Sequence, residues 1–264
     1  MNIFKNLCIG IGVLCLASCA SRTPVAQEME LTQYVHPNIG TVHSRWFFYT
    51  PAAVPFGMAK LGASTNGTYG NEQGWEAVGY DETHTSIDGF PCMHEFQIGG
   101  ILLMPTVGTV KNIPGKLETP DEGYRSRFDK KDEYATPGYY SVLLKDYQVK
   151  VELTATERVG FQRYTFPKSD SSHVIMDIGN VRDAYIKQVD ESTIEGYVVT
   201  ESEYVKKYQA GATVPMYFYA KLSQSPNSVN VLFRGKDLME KTEIKGAGAM
   251  MVLNYDTSKD QVID

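Results

Sequence analysis

The sequence has 264 residues, of which 42% are hydrophobic and 21% charged, so it is long enough for one large or two small globular domains. Its formal net charge of −6, with no cluster of Lys and Arg in the sequence, argues against a nucleic-acid-binding protein. After residue 18 no apolar run reaches the roughly 20 residues that a membrane-spanning helix needs.

The first twenty residues have the pattern of an export signal. Lys5 supplies a positive charge and the run Leu7 to Leu16 is apolar but too short to cross a bilayer. The stretch Leu16-Ala17-Ser18-Cys19 is similar to a bacterial lipobox, in which the cysteine becomes the lipid-modified first residue. The alternative is an ordinary signal peptide cleaved near Ala20.

We therefore predict a lipoprotein signal peptide at 1–18, a polar tether at 19–31 and a folded domain at 32–264, with lipidation at Cys19. The protein is expected to be exported and membrane-anchored, at the periplasmic or outer-membrane surface. Of the four cysteines, only Cys92 would then remain in the mature domain, which excludes an internal disulfide.

Residues 32–108 are rich in Gly, Pro, Asn and aromatic side chains and have weak periodicity. Within them, residues 72–100 carry a concentration of carboxylates that could serve in acid–base chemistry. Because the sequence cannot give the distance between two carboxylates, solvated loop charges remain the alternative for most of them. These carboxylates are Glu72, Glu76, Asp81, Glu82, Asp88 and Glu95.

The histidines do not have the spacing of a known metal motif. No pair stands four apart as in a HExxH helix, and there is no CxxC pair. Hydrogen-bonded loop histidines are the more common outcome, and we predict no metal ligand in this chain. A metal hydrolase built on convergent histidines stays open as a third hypothesis, to be decided by elemental analysis. The histidines are His36, His43, His84, His94 and His173.

Trp75 follows Gly74 in a polar, turn-rich stretch, and Trp46 begins a second aromatic cluster. A sugar ring stacks its C–H face on an aromatic side chain while its hydroxyls need polar neighbours. The sequence by itself leaves contact with a sugar and core packing equally open for Trp75.

From residue 138 onwards the pattern is that of β-strands. Within 140–153, apolar and polar residues alternate with a period of two on both sides of a hairpin-length connection at 145–147. Similar strands are predicted at 173–180, 197–204, 215–223, 229–235 and 249–256. Many short strands without a helical stripe predict an all-β protein, either a sandwich or a barrel. Residues 261–264 are typical of a strand that is just beginning, so we expect a chain cut before the last strand of its sheet.

Several blocks of the sequence, in order, resemble the N-terminal region of glycoside hydrolase family 92, which comprises bacterial exo-acting α-mannosidases. The resemblance covers residues 34–167 closely and continues more loosely beyond them. The blocks are VHPNIGT (35–41), PAAVPFGMAKLGAST (51–65), GWEAVGYD (74–81), IDGFPCMHEFQIGGILLMPTVG (87–108), YRSRFDKKDEYATPGYYSVLL (124–144) and VELTATERVGFQRYTFP (151–167).

The resemblance implies a large antiparallel β-sandwich of the supersandwich type, followed in the family by a C-terminal (α/α)6 barrel that this chain lacks. It implies hydrolysis of terminal α-mannosides with inversion, by an acid that protonates the glycosidic oxygen and a base that activates water. The catalytic carboxylates and the calcium ligands of the intact enzyme belong to the missing domain. The implied partners are a mannose-containing glycan and that domain.

The resemblance also assigns site residues. Gly74 and Trp75 match the Gly-Trp of the active-site wall, so Trp75 is the leading candidate to contact the leaving sugar. Proximity adds a further set of substrate-binding candidates, and no catalytic residue is assigned. That set is Glu76, Tyr80, His94 and Glu95. In this chain residues 41–46 replace a Gly/His-rich loop of many members, so the linkage specificity stays open.

Two hypotheses follow from these observations. The first is that the chain is the N-terminal, site-contributing domain of a secreted α-mannosidase and is inactive alone. The second is a stand-alone glycan-binding lipoprotein, which would bind a mannoside without any further domain.

Overall fold

The computed structural model describes residues 31–42, 49–65, 79–92, 101–178, 182–200 and 207–264. The chain divides into a unit of residues 1–31, of which only Leu31 is described, and a unit of residues 32–264. The signal, the tether and Cys19 therefore lie outside the described residues. In the described part, no helix combines the length and apolar character that a membrane crossing requires.

The described part of the chain is built from short antiparallel strands, with 3-10 turns at Leu31–Tyr34, Pro120–Glu122 and Lys130–Asp132. In chain order the strands are β1 Ala52–Ala53, β2 Lys60–Leu61, β3 Ser86–Ile87, β4 Phe90–Pro91, β5 Leu102–Val107, β6 Ser126–Arg127, β7 Glu133–Thr136, β8 Tyr139–Leu144, β9 Val149–Ala155, β10 Gly160–Thr165, β11 Ser172–Asp177, β12 Asp183–Asp190, β13 Thr193–Thr200, β14 Val214–Lys221, β15 Ser228–Phe233, β16 Glu243–Lys245, β17 Ala249–Tyr255 and β18 Val262–Ile263.

These strands form three main sheets and two small ribbons. The first sheet has the order β18-β10-β9-β8-β7, the second β15-β17-β11-β5-β4 and the third β14-β13-β12-β16. The ribbons are β1-β2 and β3-β6. The fold is thus all-β and antiparallel, as predicted from the alternating pattern.

The first sheet shows why the alternation was a reliable signal. In β9, Val149, Val151 and Leu153 are buried, whereas Lys150 and Thr154 between them are exposed. One face therefore packs on the core and the other meets water, as the period of two requires. Residues 261–264 do contain a strand, β18, which pairs with β10 at the sheet edge. That the chain is cut before its last strand stays a prediction.

The second sheet lies in the middle of the core. All six residues of β11 are buried, and β17 is buried along nearly its whole length. Strands β12 and β16 of the third sheet lie beside β17. On the first-sheet side, the Phe90 ring of β4 lies 6.5 Å from that of Tyr140 on β8, and Gln162 of β10 donates to the Phe90 carbonyl. Because both faces of the second sheet are covered, β11 has no exposed side.

Candidate functional site

Most of the predicted site residues lie outside the described part of the chain. The segment 66–78 contains three of them and the segment 93–100 two, so only one predicted substrate contact, Tyr80, has a described position. The five that lie outside are Gly74, Trp75, Glu76, His94 and Glu95. What the structure does describe is the framework from which these segments start and to which they return.

The two ends of the segment 66–78 are joined by hydrogen bonds. The Thr65 amide donates to the Gly79 carbonyl, and the Thr65 hydroxyl lies 3.1 Å from the same oxygen. The Asp81 amide donates to the Thr65 hydroxyl at 3.0 Å, and the ring nitrogen Nδ1 of His84 lies 2.8 Å from it. The chain therefore leaves and re-enters the framework at a single closed point, which we call the neck (Thr65, Gly79, Asp81 and His84).

A buried arginine holds the neck in place through hydrogen bonds. Arg125 is 4% exposed, and its guanidinium donates to the Thr65 carbonyl. Its Nε donates to the Ser86 hydroxyl at 2.9 Å, which ties the neck to the ribbon β3-β6. Burial lowers the pKa of Arg125, with the Asp88 carboxylate acting in the opposite direction. A buried guanidinium with several acceptors is a positioning device, since its donors have fixed directions.

The segment 43–48 returns to the framework beside the neck. Tyr49, directly after that segment, stacks on Tyr80 with ring centroids 3.8 Å apart and planes 18° apart. Tyr140 packs edge-on against Tyr49 at 6.0 Å. Offset stacked and edge-on pairs are the favoured arrangements of aromatic rings. The two tryptophan-bearing segments, one with Trp46 and one with Trp75, thus share one aromatic support.

The segment 93–100 is anchored to the same support. Its flanking strands β4 and β5 pair, with Pro91 opposite Leu102 and Phe90 opposite Leu103. The Phe90 ring also contacts Tyr140 at 6.5 Å. The segments 43–48, 66–78 and 93–100 therefore each begin or end next to one aromatic cluster.

The hydroxyl groups of this cluster are held by charged side chains. The Tyr80 hydroxyl lies 2.8 Å from Glu133 Oε2 and 3.0 Å from Glu82 Oε2, so both carboxylates are acceptors within reach of its single proton. Lys130 Nζ donates to the Tyr80 oxygen at 2.6 Å and lies 3.3 Å from Glu133 Oε2. Its ammonium also stands 4.6 Å above the Tyr80 ring, a cation–π contact.

Two more side chains complete the network. The Tyr140 hydroxyl donates to Glu133 Oε1 at 2.7 Å. Asn38 donates from its amide to Glu82 Oε2 at 2.8 Å and accepts from the Tyr49 hydroxyl at 3.2 Å. We call this group the buried tyrosine cluster. Its members are Asn38, Tyr49, Tyr80, Glu82, Lys130, Glu133 and Tyr140.

The environment keeps these phenols protonated. Burial raises the pKa of Tyr49, Tyr80 and Tyr140 well above the usual range, and the nearby Glu133 carboxylate raises each of them further. Tyr49 also raises the pKa of its stacked neighbour Tyr80. The cluster is therefore a set of hydrogen-bond donors with fixed orientation rather than a source of catalytic base.

The geometry supports positioning rather than direct chemistry at these residues. The Glu133 side chain is 3% exposed and the Tyr80 residue 7% exposed, so both are buried. A hydrogen-bonded network with such a buried centre fixes the elements that it joins. Direct contact of Tyr80 with substrate stays a prediction, while its ring and hydroxyl hold the chain end next to Gly79.

The supporting residues were not identified from the sequence as site residues. Arg125, Lys130, Glu133 and Tyr140 all fall in the block at 124–144 that carries part of the family resemblance. Their partners stand tens of residues away, because Tyr80 and Glu133 are separated by 53 positions and Arg125 and Thr65 by 60. The only signal available was the density of charged and tyrosine residues in that block.

The histidine hypothesis gains no support from the described residues. His84 contacts Thr65, and His173 is held between Asn254 Oδ1 and the Gly108 carbonyl, each at 2.8 Å. Within the described ranges, no group of three or more His, Cys, Asp or Glu side chains could hold a metal ion. His43 and His94 lie outside those ranges.

Comparison with known proteins gives one family. The model of the glycosyl hydrolase family 92 N-terminal domain matches residues 34–264. No curated protein sequence is a match.

Solved structures of the same family share the fold. The alpha-mannosidase BT3965 of family GH92 from Bacteroides thetaiotaomicron is 28% identical over 88% of this chain, with a TM-score of 0.75. Its complex with mannoimidazole gives a TM-score of 0.73 at the same identity. The family GH92 inverting mannosidase BT2199 from the same organism is 22% identical over 90% of this chain, with a TM-score of 0.69. The present chain covers only 32%, 31% and 31% of these three chains, respectively.

Proposed function

This chain belongs to glycoside hydrolase family 92, and from that premise we propose that it is the N-terminal domain of an exported α-mannosidase that contributes one wall of the substrate site. The observation that carries the proposal is the family match over residues 34–264, joined to a structural likeness that spans 88% of this chain but 32% of a family α-mannosidase. A glycosidase-related role follows from membership, whereas the division of labour is our proposal.

In this division the chain positions a sugar and another part of the enzyme breaks the bond. Trp75 offers an aromatic face to the leaving sugar, and the neck and the buried tyrosine cluster fix the point from which its segment starts. Holding a substrate in the reactive geometry lowers the barrier without any chemistry at the residues that hold it. The related complex with mannoimidazole supports a mannose-like ligand for the family site.

The bond-breaking groups are assigned to the C-terminal part of the enzyme. There, one carboxylic acid would protonate the glycosidic oxygen while a carboxylate activates water on the opposite face of the ring, which inverts the anomeric centre. Calcium, a hard cation that prefers oxygen ligands, would bind sugar hydroxyls in the same part. Its ligands are assigned to that part of the enzyme and not to this chain.

The first test is hydrolysis. We expect the purified 264-residue chain to release no mannose from α-mannobiose or an aryl α-mannoside, and activity to appear only in a protein that also contains a family C-terminal domain. Release of mannose by the chain alone would refute the assignment of the chemistry to the other domain. The Cys19 lipid is tested separately, by the mass of the mature N-terminal residue after export.

The second test is binding, read through tryptophan fluorescence. The chain has two tryptophans, so Trp46→Phe leaves Trp75 as the only tryptophan fluorophore and Trp75→Phe leaves Trp46. Titration with mannobiose is expected to change the emission of the Trp46→Phe variant and not that of Trp75→Phe, because a sugar stacks on the indole that it contacts. A change confined to Trp46 would refute Trp75 as the contact.

A mannobiose affinity that is equally high with and without the C-terminal domain would favour the stand-alone binding lipoprotein instead.

A further inference from the structure

The outer face of the third sheet carries a row of tyrosines. Tyr185 on β12 stands directly opposite Tyr197 on β13, and Tyr197 stands directly opposite Tyr217 on β14. Their ring centroids are 5.9 and 6.0 Å apart in succession. Because directly opposed residues on one face of a sheet are neighbours, the three rings form a continuous strip across the strands, which we call the tyrosine row.

The backbone of β13 explains why these rings point to the solvent. Residues of β14 alternate between half-buried and exposed, and Phe218 packs inward against the core. A Cβ on Gly196 would lie 2.6 Å from Phe218 Cζ, so the glycine makes room for that ring on the inner face. Since successive side chains of a strand point to opposite faces, Tyr197, Tyr217 and Tyr219 must face outward.

On this face Tyr217 and Tyr219 are exposed, while Tyr185 and Tyr197 are half-buried and held in place. Tyr217 is 77% exposed and Tyr219 63% exposed. The Tyr185 hydroxyl donates to Glu243 Oε2 at 2.8 Å, and the Tyr197 hydroxyl donates to Asp183 Oδ2 at 3.3 Å. These bonds fix the two half-buried rings from one edge, next to the exposed ring of Tyr217. Fixed rings lose little conformational entropy when a ligand stacks on them.

The surrounding charges are balanced. Next to the tyrosine row, the register places Glu243, Lys187 and Glu195 side by side, followed by Tyr219. Lys245 lies opposite Tyr185 at the end of the row. A surface that binds single-stranded nucleic acid combines stacking rings with a positive groove, and the described residues of this face carry no such excess of positive charge.

A groove continues the tyrosine row at the Tyr185 end. It has a volume of about 380 Å³, and Tyr185 is one of its walls. Phe233 and Met239 give it apolar surface, while Lys241 and Glu243 give it a donor and an acceptor. Apolar surface with a few polar groups is the composition of a small-molecule site.

We infer that the outer face of the third sheet is a glycan-binding surface, on which a neutral oligosaccharide lies along the tyrosine row towards the groove. Sugar rings offer alternating C–H faces and hydroxyls, which match exposed phenol faces bordered by Lys and Glu. The surface is in a different sheet from the framework that anchors the Trp75 segment. The inference goes beyond the proposed function and requires only that the chain belongs to a family that handles glycans.

The test is affinity electrophoresis of the full chain in native gels that contain soluble α-mannan. We expect the wild type to be retarded, and Trp75→Ala to stay retarded because the tyrosine row is intact. The double variant Tyr197→Ala/Tyr217→Ala is expected to lose affinity by about 10-fold or more, since two stacking contacts are removed. Tyr134→Ala is the matched control, because Tyr134 is also exposed but lies in the first sheet.

A second variant separates stacking from folding. Tyr197→Phe keeps the aromatic face and removes only the bond to Asp183, so its retardation should stay within about 2-fold of the wild type. The urea midpoint of each variant is measured in parallel, and a double variant that is folded but unretarded supports the inference.

Three outcomes would overturn the inference. In the first, α-mannan does not retard the wild type. In the second, retardation is abolished by Trp75→Ala alone. In the third, the double variant keeps full retardation and instead changes the oligomeric state, which would make the face a protein contact. None of these outcomes changes the hydrolysis test of the proposed function, because that test measures released mannose and not retardation.

Discussion

The tyrosines beneath the 66–78 segment and those on the outer face of the third sheet are the same side chain in opposite environments. Tyr80 is 7% exposed and shares its hydroxyl with two carboxylates and an ammonium. Tyr217 is 77% exposed and contacts another ring only at its side. In the first environment the phenol holds neighbouring elements together. In the second its ring face is open to a ligand. Burial and strand register, rather than residue type, decide between these roles.

The largest expected effect on the free energy of unfolding tests the structural role of the buried tyrosine cluster. Glu133→Ala removes the acceptor shared by Tyr80, Tyr140 and Lys130, so we expect the free energy of unfolding to fall by about 3 kcal/mol. Urea unfolding followed by circular dichroism measures the loss. Glu240→Ala, at an exposed position, should change stability by less than about 0.5 kcal/mol. Equal losses in both variants would contradict the role of Glu133.

A somewhat smaller effect tests why the outer tyrosines face outward. In Gly196→Ala the new Cβ would lie 2.0 Å from the Tyr185 carbonyl oxygen and 2.6 Å from Phe218, so the strands β12 and β14 must shift. Overpacking of this kind costs about 1–3 kcal/mol. The same urea experiment measures it, with Gly211→Ala, which has open space around it, as a control for loss of a glycine. Because Gly211 has a φ of +79°, a small strain cost is expected there too. A cost in Gly196→Ala no larger than that of the control would argue against close packing on the inner face.

A pH-dependent effect on stability tests whether the Cys92 thiol, directly before the segment 93–100, is buried away from water. Burial raises the pKa of the Cys92 thiol from 9.0 to about 11, opposed by the hydrogen bond from Gln162. Below pH 9 both states are protonated and stability is unaffected; between pH 9 and 11 only the unfolded thiol ionises, so stability falls. The loss is about 1.4 kcal/mol at pH 10.

The measurement compares the wild type with Cys92→Ser, whose hydroxyl does not titrate in this range. The difference in unfolding free energy between the two is expected to shift against the wild type as the pH rises from 8 to 10, which removes the contribution of the many tyrosines. A difference that stays constant with pH would show an exposed thiol.

The smallest effect on stability is expected at the outer face of the third sheet. Tyr185→Phe removes an exposed hydrogen bond to Glu243, so stability should change by less than about 0.5 kcal/mol. The hydroxyl of Tyr140 is its buried counterpart, because it donates to Glu133 inside the protein. Tyr140→Phe should therefore cost about 1–2 kcal/mol in the same assay. Equal costs at the two positions would remove the distinction between buried and open tyrosines.

The strand prediction succeeded where one face of a strand meets water. In β9 the alternation of Val149, Val151 and Leu153 with polar residues reflects one buried and one exposed face, and the strand is found there. It was less informative elsewhere: β11 is buried on both faces, and the strand predicted at 197–204 begins earlier, at Thr193. Neither β5 nor β12 was predicted as a strand. Three stacked layers cannot be inferred from a period of two.

The site was predictable only in part. The family resemblance proposes the segment around Trp75, because sequence blocks can be matched directly, and that assignment stays a prediction. The support under it depends on pairings such as Tyr80 with Glu133 and Thr65 with Arg125, which are fixed by the folded topology and leave no periodic trace. Tyr80 illustrates the limit, since its stacking on Tyr49 and its burial could not be inferred from its neighbours in the sequence.

The closed neck between Thr65 and Gly79 has a consequence for how such a domain can diversify. When two anchor points are already in contact, the free-energy cost of closing the loop between them rises by only about 0.6 kcal/mol for each doubling of the loop length. Insertions, deletions or whole exchanges between these anchors should therefore leave the scaffold folded. Other recognition peptides could be grafted between Thr65 and Gly79. Natural relatives could acquire new sugar preferences by changes in the same segment.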